Sequence, residues 1–352
     1  MAQLPATVIL PSHTPELFVA AVEQAAAALR TGQAVAIPTE TVYGLAVNAL
    51  DPNAVALLFA IKGRPAHNPV IVHIHQLEMA CRCVAEWSDT AEALARAFWP
   101  GPLTLVLPKA PGIPDAITAG SPTVALRWPA HALFQAVIQA CGFPLAAPSA
   151  NLSGSTSPTR AKHVLRSLGG RIPLILDGGA CQVGIESTVL DLTQGLPRIL
   201  RPGILDETAL ASVVGRVQPP ADAPAAARPS SPGLLDRHYA PCTPLRILSW
   251  TDDAHLEAQL VRLLAPHQDA RPITPTPSSL LPVCVLSQNR IPTRPRVYRL
   301  RVMPHEPRAY ARVLYHELHL CDQTGARFII VEAVPPTTPW RAVADRLRRA
   351  AH

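Results

Sequence analysis

Apolar side chains recur at helical spacing from Thr14 to Arg30. Thr14 stands as a cap, Pro15 and Glu16 form the first turn, and Gly32 follows the end, so this stretch predicts a helix. Asp51 to Ile61 predicts a second helix, capped by Asp51 with Pro52 at its first position. Thr90 to Phe98 and Ala130 to Cys141 predict two more. Between them lie short apolar runs of strand character: 34–37, "PVIVHI", "LTLVLP", "TVALRWP", "PLAAPSA", "PLILDGG", "STVLDL" and "PRILRPG". Helices mixed with many short strands predict an α/β or α+β domain on a twisted, largely non-repeating sheet.

The pattern breaks at 219–232, "PPADAPAAARPSSP", which has five prolines and almost no large apolar residue. That composition predicts a stiff, extended linker. Beyond it, "LRILSW", a helix near 254–264, "VCVLSQ", "RVYRLRV", a helix near 307–321, "RFIIVEAV" and a helix over 340–350 alternate. They predict a smaller, doubly wound α/β domain. The expected boundaries are 1–215, a linker over 216–242, and 243–352.

Composition narrows the partners. The net charge of +6 comes mostly from arginine, with only Lys62, Lys109 and Lys162 as lysines, and a pI near 9.1 suits anionic ligands such as nucleotides or RNA. The seven cysteines are scattered without a C-x-x-C, which reads as reduced cytosolic thiols. The N-terminus lacks the pattern of a signal peptide, and no apolar run reaches the roughly 18 residues of a membrane span. A cytoplasmic location is expected.

Several chemistries are absent from the sequence. There is no phosphate-binding G-x-x-x-x-G-K-[ST] loop, no G-x-G-x-x-G after a strand and no G-x-S-x-G elbow. The H-E-x-H of His316–His319 lacks the i, i+4 spacing of a zinc protease and reads as a surface helix.

Four stretches remain. "PTETVYGL" sets Thr39, Glu40 and Thr41 behind a strand, where hydroxyls either face a ligand or cap a turn. In "KGRPAHNP", Lys62, Arg64 and Asn68 either converge on a polyphosphate or complement a helix C-terminus. "APSANLSGSTSPT" is either a hydroxyl-rich binding loop or a serine-rich surface. "GIESTVLDL" followed by "ILRPG" places Ser187, Thr188 and Arg201 at strand ends, where Arg201 meets an anion or solvent.

Their joint order resembles the YrdC-like family of threonylcarbamoyl-AMP synthases, through 16–205 without large gaps. The segment "SPGLLDRHYAP" and the smaller domain resemble the family's two-domain long form. The resemblance implies an open, twisted mixed sheet with a deep basic cavity. It implies formation of threonylcarbamoyl-AMP and pyrophosphate from L-threonine, bicarbonate and ATP, for modification of adenosine 37 in ANN-decoding tRNAs. It places Thr41, His73, Arg127, Ala147 and Ser187 on threonine. It places Lys62, Arg64, Asn68, Thr123, Ser149, Asn151, Ser157, Arg201 and Tyr239 on ATP, with Lys62 and Arg64 as the catalytic cations and Mg2+ carried by the nucleotide. Contact with tRNA or with the transferase complex that uses the product is left open. The linker is implied as a lid. Where relatives carry a motif like "SPGMKYKHYAP", this chain keeps His238 and Tyr239 but has Leu235 for a lysine and Asp236 for the first tyrosine.

These residue types suit the chemistry. A threonine carbamate attacks the α-phosphorus, so no enzyme nucleophile is needed. Positioning and neutralisation of the leaving pyrophosphate do the catalysis. A double-stranded RNA or tRNA-binding protein of the same fold is the competing expectation, against which stands an aromatic content of only 5%. Carbamoyl-adenylate chemistry of the hydrogenase-maturation type is a third, but the acylphosphatase and zinc-finger segments of those proteins are missing.

Overall fold

The structure is a computed structural model, and it describes residues 6–220, 238–264, 283–293 and 299–351. Ten strands build one sheet: β1 Val8–Pro11, β2 Val35–Ile37, β3 Gly44–Asn48, β4 Val72–His73, β5 Leu103–Pro108, β6 Thr123–Arg127, β7 Leu145–Ala146, β8 Leu174–Asp177, β9 Thr188–Asp191 and β10 Arg198–Arg201. Their order is β1-β8-β2-β3-β7-β4-β6-β5-β9-β10, with parallel and antiparallel pairs mixed. The helices of this part are α1 Pro15–Arg30, α2 Pro52–Lys62, α3 Leu77–Cys83, α4 Asp89–Phe98, α5 Asp115–Thr118, α6 Ala132–Cys141, α7 Ala161–Leu168 and α8 Glu207–Val214.

Local chemistry explains the elements that matter for the site. Asp51 caps α2 by accepting from the Asn53 amide at 2.9 Å, Pro52 opens it, and Gly63 closes it at φ 57°. The helix therefore delivers Lys62 in its last turn and Arg64 just past the turn. "PVIVHI" is a strand only at Val72–His73. The Val70 amide donates to the Ile117 carbonyl at 2.8 Å and the Ile71 carbonyl accepts from Ala147 at 3.1 Å, outside the regular pairing. The helices α3, α5, α7 and α8 were not among the elements expected from sequence; α5 is a single turn of four residues.

The second sheet holds β11 Leu245–Leu248, β12 Val283–Ser287, β13 Arg299–Val302 and β14 Phe328–Glu332, all parallel, in the order β11-β14-β12-β13. With it go α9 Asp253–Leu264, α10 Pro307–Asp322 and α11 Arg341–Ala350. Alternation along β12 sends Val283 and Val285 to α9, and Cys284 and Leu286 to the α10 and α11 side, so both faces are covered. All seven cysteines are free thiols.

One core lies under the large sheet. A second crosses the seam: Val42, Ile185 and Tyr239 pack with Tyr310, Leu314, Tyr315, Leu318, Trp340 and Leu347. The face of α10 expected at the surface is therefore partly covered. His319 stacks on His163 of α7 at 4.0 Å between ring centroids, and His316 lies 5.4 Å from the same ring. No group of three His, Cys, Asp or Glu suited to a metal ion occurs among the described residues. None of the described helices is long and apolar enough to cross a membrane.

Candidate functional site

The strand ends and loops around β3, β4, β6, β9 and β10 enclose a cavity of about 50 Å³. Arg64, His73, Arg127, Ala147, Ser149, Arg201 and Tyr239, all expected from sequence, line it. Val42, Ile71, Pro148, Glu186 and His238 complete the wall.

Four cations approach from different elements. Lys62 is fully buried, and its Nζ donates to the carbonyls of Ser149 and Asn151, each at 2.5 Å. Burial and the nearby Arg64 charge hold its pKa well below that of a free lysine. Arg64 is fixed by Asn68, donating to its backbone carbonyl at 3.1 Å and its side-chain oxygen at 2.7 Å, and by the Pro69 carbonyl at 2.6 Å. Burial lowers its pKa to about 10. Arg201 donates to the Ser187 carbonyl from Nε at 3.1 Å and from Nη2 at 3.0 Å. Arg127 ends β6, its Nη2 2.8 Å from Glu40 Oε1. An anion entering this space meets charge already desolvated and already aimed, the arrangement that makes electrostatic stabilisation strong.

The other expected residues stand one bond behind the wall or elsewhere. Asn68 positions Arg64 and leaves its own Nδ2 without a partner. The Asn151 amide group holds the Leu152 and Ser155 carbonyls at 2.9 and 2.8 Å. The Ser187 hydroxyl lies 2.7 Å from that of Thr104. The Ser157 hydroxyl donates to Glu186 Oε1 at 2.6 Å. The Thr39 hydroxyl caps its own turn, donating to the Val42 carbonyl at 2.7 Å and accepting from the Thr41 and Val42 amides. The Thr41 hydroxyl rests 2.8 Å from it. Thr123 is not brought to the cavity. It opens β6, opposite Pro108 and 2.8 Å from the Ser121 hydroxyl, while Arg127 closes the same strand.

Two carboxylates, Glu186 in this wall and Glu40 behind Arg127, were given no role from sequence. Glu40 pairs with Arg127 and accepts from the Ala130 amide at 3.1 Å. Glu186 accepts from Ser157, from the Tyr315 hydroxyl at 3.0 Å, and from Arg346 Nε at 2.9 Å. Burial pushes its pKa up. The Arg346 and Arg201 charges, with the hydrogen bonds from Ser157 and Arg346, more than offset this and leave it at about 2. Burial, reinforced by Arg127, takes His73 down to about 3, so its ring is neutral.

His238 and Tyr239 close the wall and are tied to both sheets. The His238 amide donates to the Arg349 carbonyl at 3.2 Å, and the Ala240 amide to the Gly154 carbonyl at 2.9 Å. Tyr239 adopts φ 62°, is fully buried, and leaves its hydroxyl without a partner. It thus both lines the cavity and packs between the domains. Leu235 and Asp236 lie outside the described residues.

Residues 27–203 match the family described as "Telomere recombination", and residues 205–352 match "Threonylcarbamoyl-AMP synthase, C-terminal domain". The chain is similar to the threonylcarbamoyl-AMP synthase of Pyrococcus abyssi, 40% identical over 93% of this chain and 92% of that one. The chain belongs to the threonylcarbamoyl-AMP synthase family. The family's member from Bacillus subtilis is 38% identical over 94% of this chain and 92% of its own length. The crystal structure of P. abyssi Sua5 complexed with L-threonine superposes with a TM-score of 0.83 at 36% identity, covering 98% of this chain and 97% of that one. Escherichia coli YciO, at 23% identity and a TM-score of 0.50, covers 57% of this chain and 96% of its own and shares the fold of the large sheet.

Proposed function

We propose that this chain is an L-threonylcarbamoyladenylate synthase, a nucleotidyltransferase that converts L-threonine, bicarbonate and ATP into threonylcarbamoyl-AMP and pyrophosphate. The observation that carries the reading is the convergence of Arg64, Arg127 and Arg201 on one cavity lined by Ser149, His73 and Ala147, with Lys62 directly behind on the Ser149 carbonyl. Its relatives carry that activity in their names, and one solved relative is named with L-threonine bound.

The cavity divides by charge. On the Arg127 side, a guanidinium anchored by Glu40 at Nη2 and by the Gly101 carbonyl at Nε meets the threonine carboxylate. His73 and Ala147 line the same half, with Thr41 and Ser187 behind them. Arg64, Ser149, Arg201 and Tyr239 line the other, where the triphosphate lies; Lys62, Asn68, Asn151 and Ser157 brace it from behind. Bicarbonate takes up a proton and releases CO2 and water; threonine's amine adds to the CO2 and gives up a proton, which balances the one bicarbonate takes, to form a carbamate. A carbamate oxygen forms the new bond to the α-phosphorus as the bond to pyrophosphate breaks. Lys62 and Arg64 hold the departing charge. The neutral His73 ring adds no competing cation beside the threonine amine.

Among the described residues no group of three His, Cys, Asp or Glu suits a metal ion, and Glu40 and Glu186 are each paired with an arginine. In this reading Mg2+ comes with the nucleotide substrate.

His238 and Tyr239 stand in the wall of the cavity, where they keep water from the mixed anhydride. The product supplies threonylcarbamoylation of tRNA adenosine 37 in the cytoplasm. The alternative of a nucleic-acid-binding protein is disfavoured because these four cations are buried, where a polynucleotide backbone does not reach. Mass spectrometry of the products from ATP, bicarbonate and threonine tests the proposal. Threonylcarbamoyl-AMP with matching pyrophosphate, without tRNA, is the expected result; ATP left intact overturns it.

A further inference from the structure

An acidic side chain in a cavity built for anions calls for an explanation. Glu186 lies in the wall beside Arg64, Ser149, Arg201 and Tyr239. Bare, its charge would oppose a triphosphate at the same arginines. The group that offsets it comes from the other sheet. Arg346 of α11 is fully buried and 160 residues away in sequence. Its Nε donates to Glu186 Oε2 at 2.9 Å and its Nη2 to the Glu186 carbonyl at 3.4 Å. The same guanidinium lies 5.1 Å from the Tyr239 ring centroid, and Asp345 holds its Nη1 at 2.7 Å. Tyr315 of α10 adds its hydroxyl to the same carboxylate oxygen.

We propose that Arg346, with Tyr315, is a positioning residue for the nucleotide half of the cavity, cancelling the Glu186 charge and fixing both that carboxylate and the Tyr239 ring. The proposal rests on the reading of this half as the ATP site. Two consequences follow from the geometry. Glu186, held from the far side, orients the Ser157 hydroxyl and keeps the loop entering β9 in place, and with it the Ser187 carbonyl on which Arg201 is aimed. Arg346 also supports the Tyr239 ring through a cation–π contact. The second domain thus braces the wall of the nucleotide site from behind, through Glu186 and Tyr239.

The test uses the full chain in three forms: Arg346→Gln, Arg346→Gln with Glu186→Gln, and Tyr315→Phe. ATP and threonine affinities are measured separately by calorimetry, each with that ligand alone, beside thermal melts and product mass spectrometry. Arg346→Gln weakens ATP at least tenfold and leaves threonine within twofold, because only the nucleotide half gains the bare carboxylate. Adding Glu186→Gln restores most of the ATP affinity. Tyr315→Phe keeps the ring and drops one hydrogen bond, and it weakens ATP by about threefold. This variant carries the test should Arg346→Gln fail to fold. ATP affinity unchanged in a folded Arg346→Gln or in Tyr315→Phe overturns the proposal, as does an equal loss for both ligands or no recovery on adding Glu186→Gln. Wild-type protein that binds ATP but forms no threonylcarbamoyl-AMP overturns the proposed function and leaves this inference standing on the binding data.

Discussion

Arg127 Nη2 stands 2.8 Å from Glu40 Oε1, and both side chains are almost wholly buried, so the guanidinium at the end of β6 is anchored before any substrate arrives. Arg127 Nε also donates to the Gly101 carbonyl at 3.3 Å. A guanidinium held on two sides is pre-organised for a carboxylate on the third. Arg127→Ala should raise the threonine requirement ten- to a hundredfold, since a charge-assisted contact contributes roughly 1.5–3 kcal/mol. The ATP requirement should change far less. The substitution also strands Glu40, so the Arg127→Ala, Glu40→Gln double variant is the cleaner form for the kinetics. A loss confined to ATP would assign Arg127 to the other half of the cavity.

Lys62 and Arg64 are aimed by different partners, and both variants should lose turnover and stability together. Arg64→Ala should lower turnover about a hundredfold, the usual loss for one stabilising donor, and lower the thermal midpoint, because the Asn68 and Pro69 carbonyls and Asn68 Oδ1 lose their donor. Lys62→Ala should lower turnover as much and also destabilise, because the Ser149 and Asn151 carbonyls lose their shared donor. Pyrophosphate release and thermal melts read the two effects separately. Wild-type turnover in either folded variant would remove that residue from the reaction.

Acid should weaken the fold well above the pH at which carboxylates titrate. Burial lowers His73 and His238 to about 3, His319 to about 4, and His163 to about 2, the last aided by the His319, His316, Arg166 and Arg160 charges. Each ring is neutral when folded and takes a proton below about 6.5 when unfolded. The stability each contributes is present above that pH and is lost as pH falls from about 6.5 towards the folded values. The slope approaches about 1.4 kcal/mol per pH unit per histidine. Thermal midpoints should fall between pH 7.5 and 5, and His163→Asn should flatten the slope. A midpoint constant over that range would contradict the buried neutral state.

Gly184 should be a sensitive point on the seam. It adopts φ 84°, and an added Cβ would sit 2.4 Å from the Arg312 Cα and 2.5 Å from the Ala311 carbonyl oxygen on α10. Gly184→Ala adds overlap with backbone, costing about 1–3 kcal/mol, and left-handed strain of roughly 1–2 kcal/mol. The thermal midpoint should drop, and synthesis should fall because Glu186, two residues on, loses its register with Tyr315 and Arg346. A variant as stable and active as wild type would mean that α10 can retreat without consequence.

Local chemistry in the chain determined where most helices and several strands of the large sheet lie. Thr14, Asp51, Pro15 and Pro52 cap or open helices through bonds to near neighbours, and the apolar period of 3.6 or 2 is likewise a short-range property. The same local signals put Lys62 and Arg64 together, because a helix end and a glycine turn separate them by two residues. Motif order in the chain also indicated the family and most of the cavity wall.

Tertiary structure alone decided which charges cancel. In the sequence, Arg346 is one of four arginines in "RAVADRLRRA", a strongly polar helix that reads as solvent-facing, yet it is fully buried against a carboxylate 160 residues away. Glu186 and Glu40 look like ordinary neighbours of Ser187 and Thr41 until the sheets bring Arg346 and Arg127 to them. Thr123 and Arg127 share one motif, but an extended strand carries them to opposite ends, and only Arg127 reaches the cavity. His316 and His319 read as a surface pair because nothing nearby in sequence marks His163 as the ring they meet. Periodicity and capping act over a few residues. The pairing of buried charge depends on desolvation and on approach across the fold, and neither leaves a mark on the local pattern.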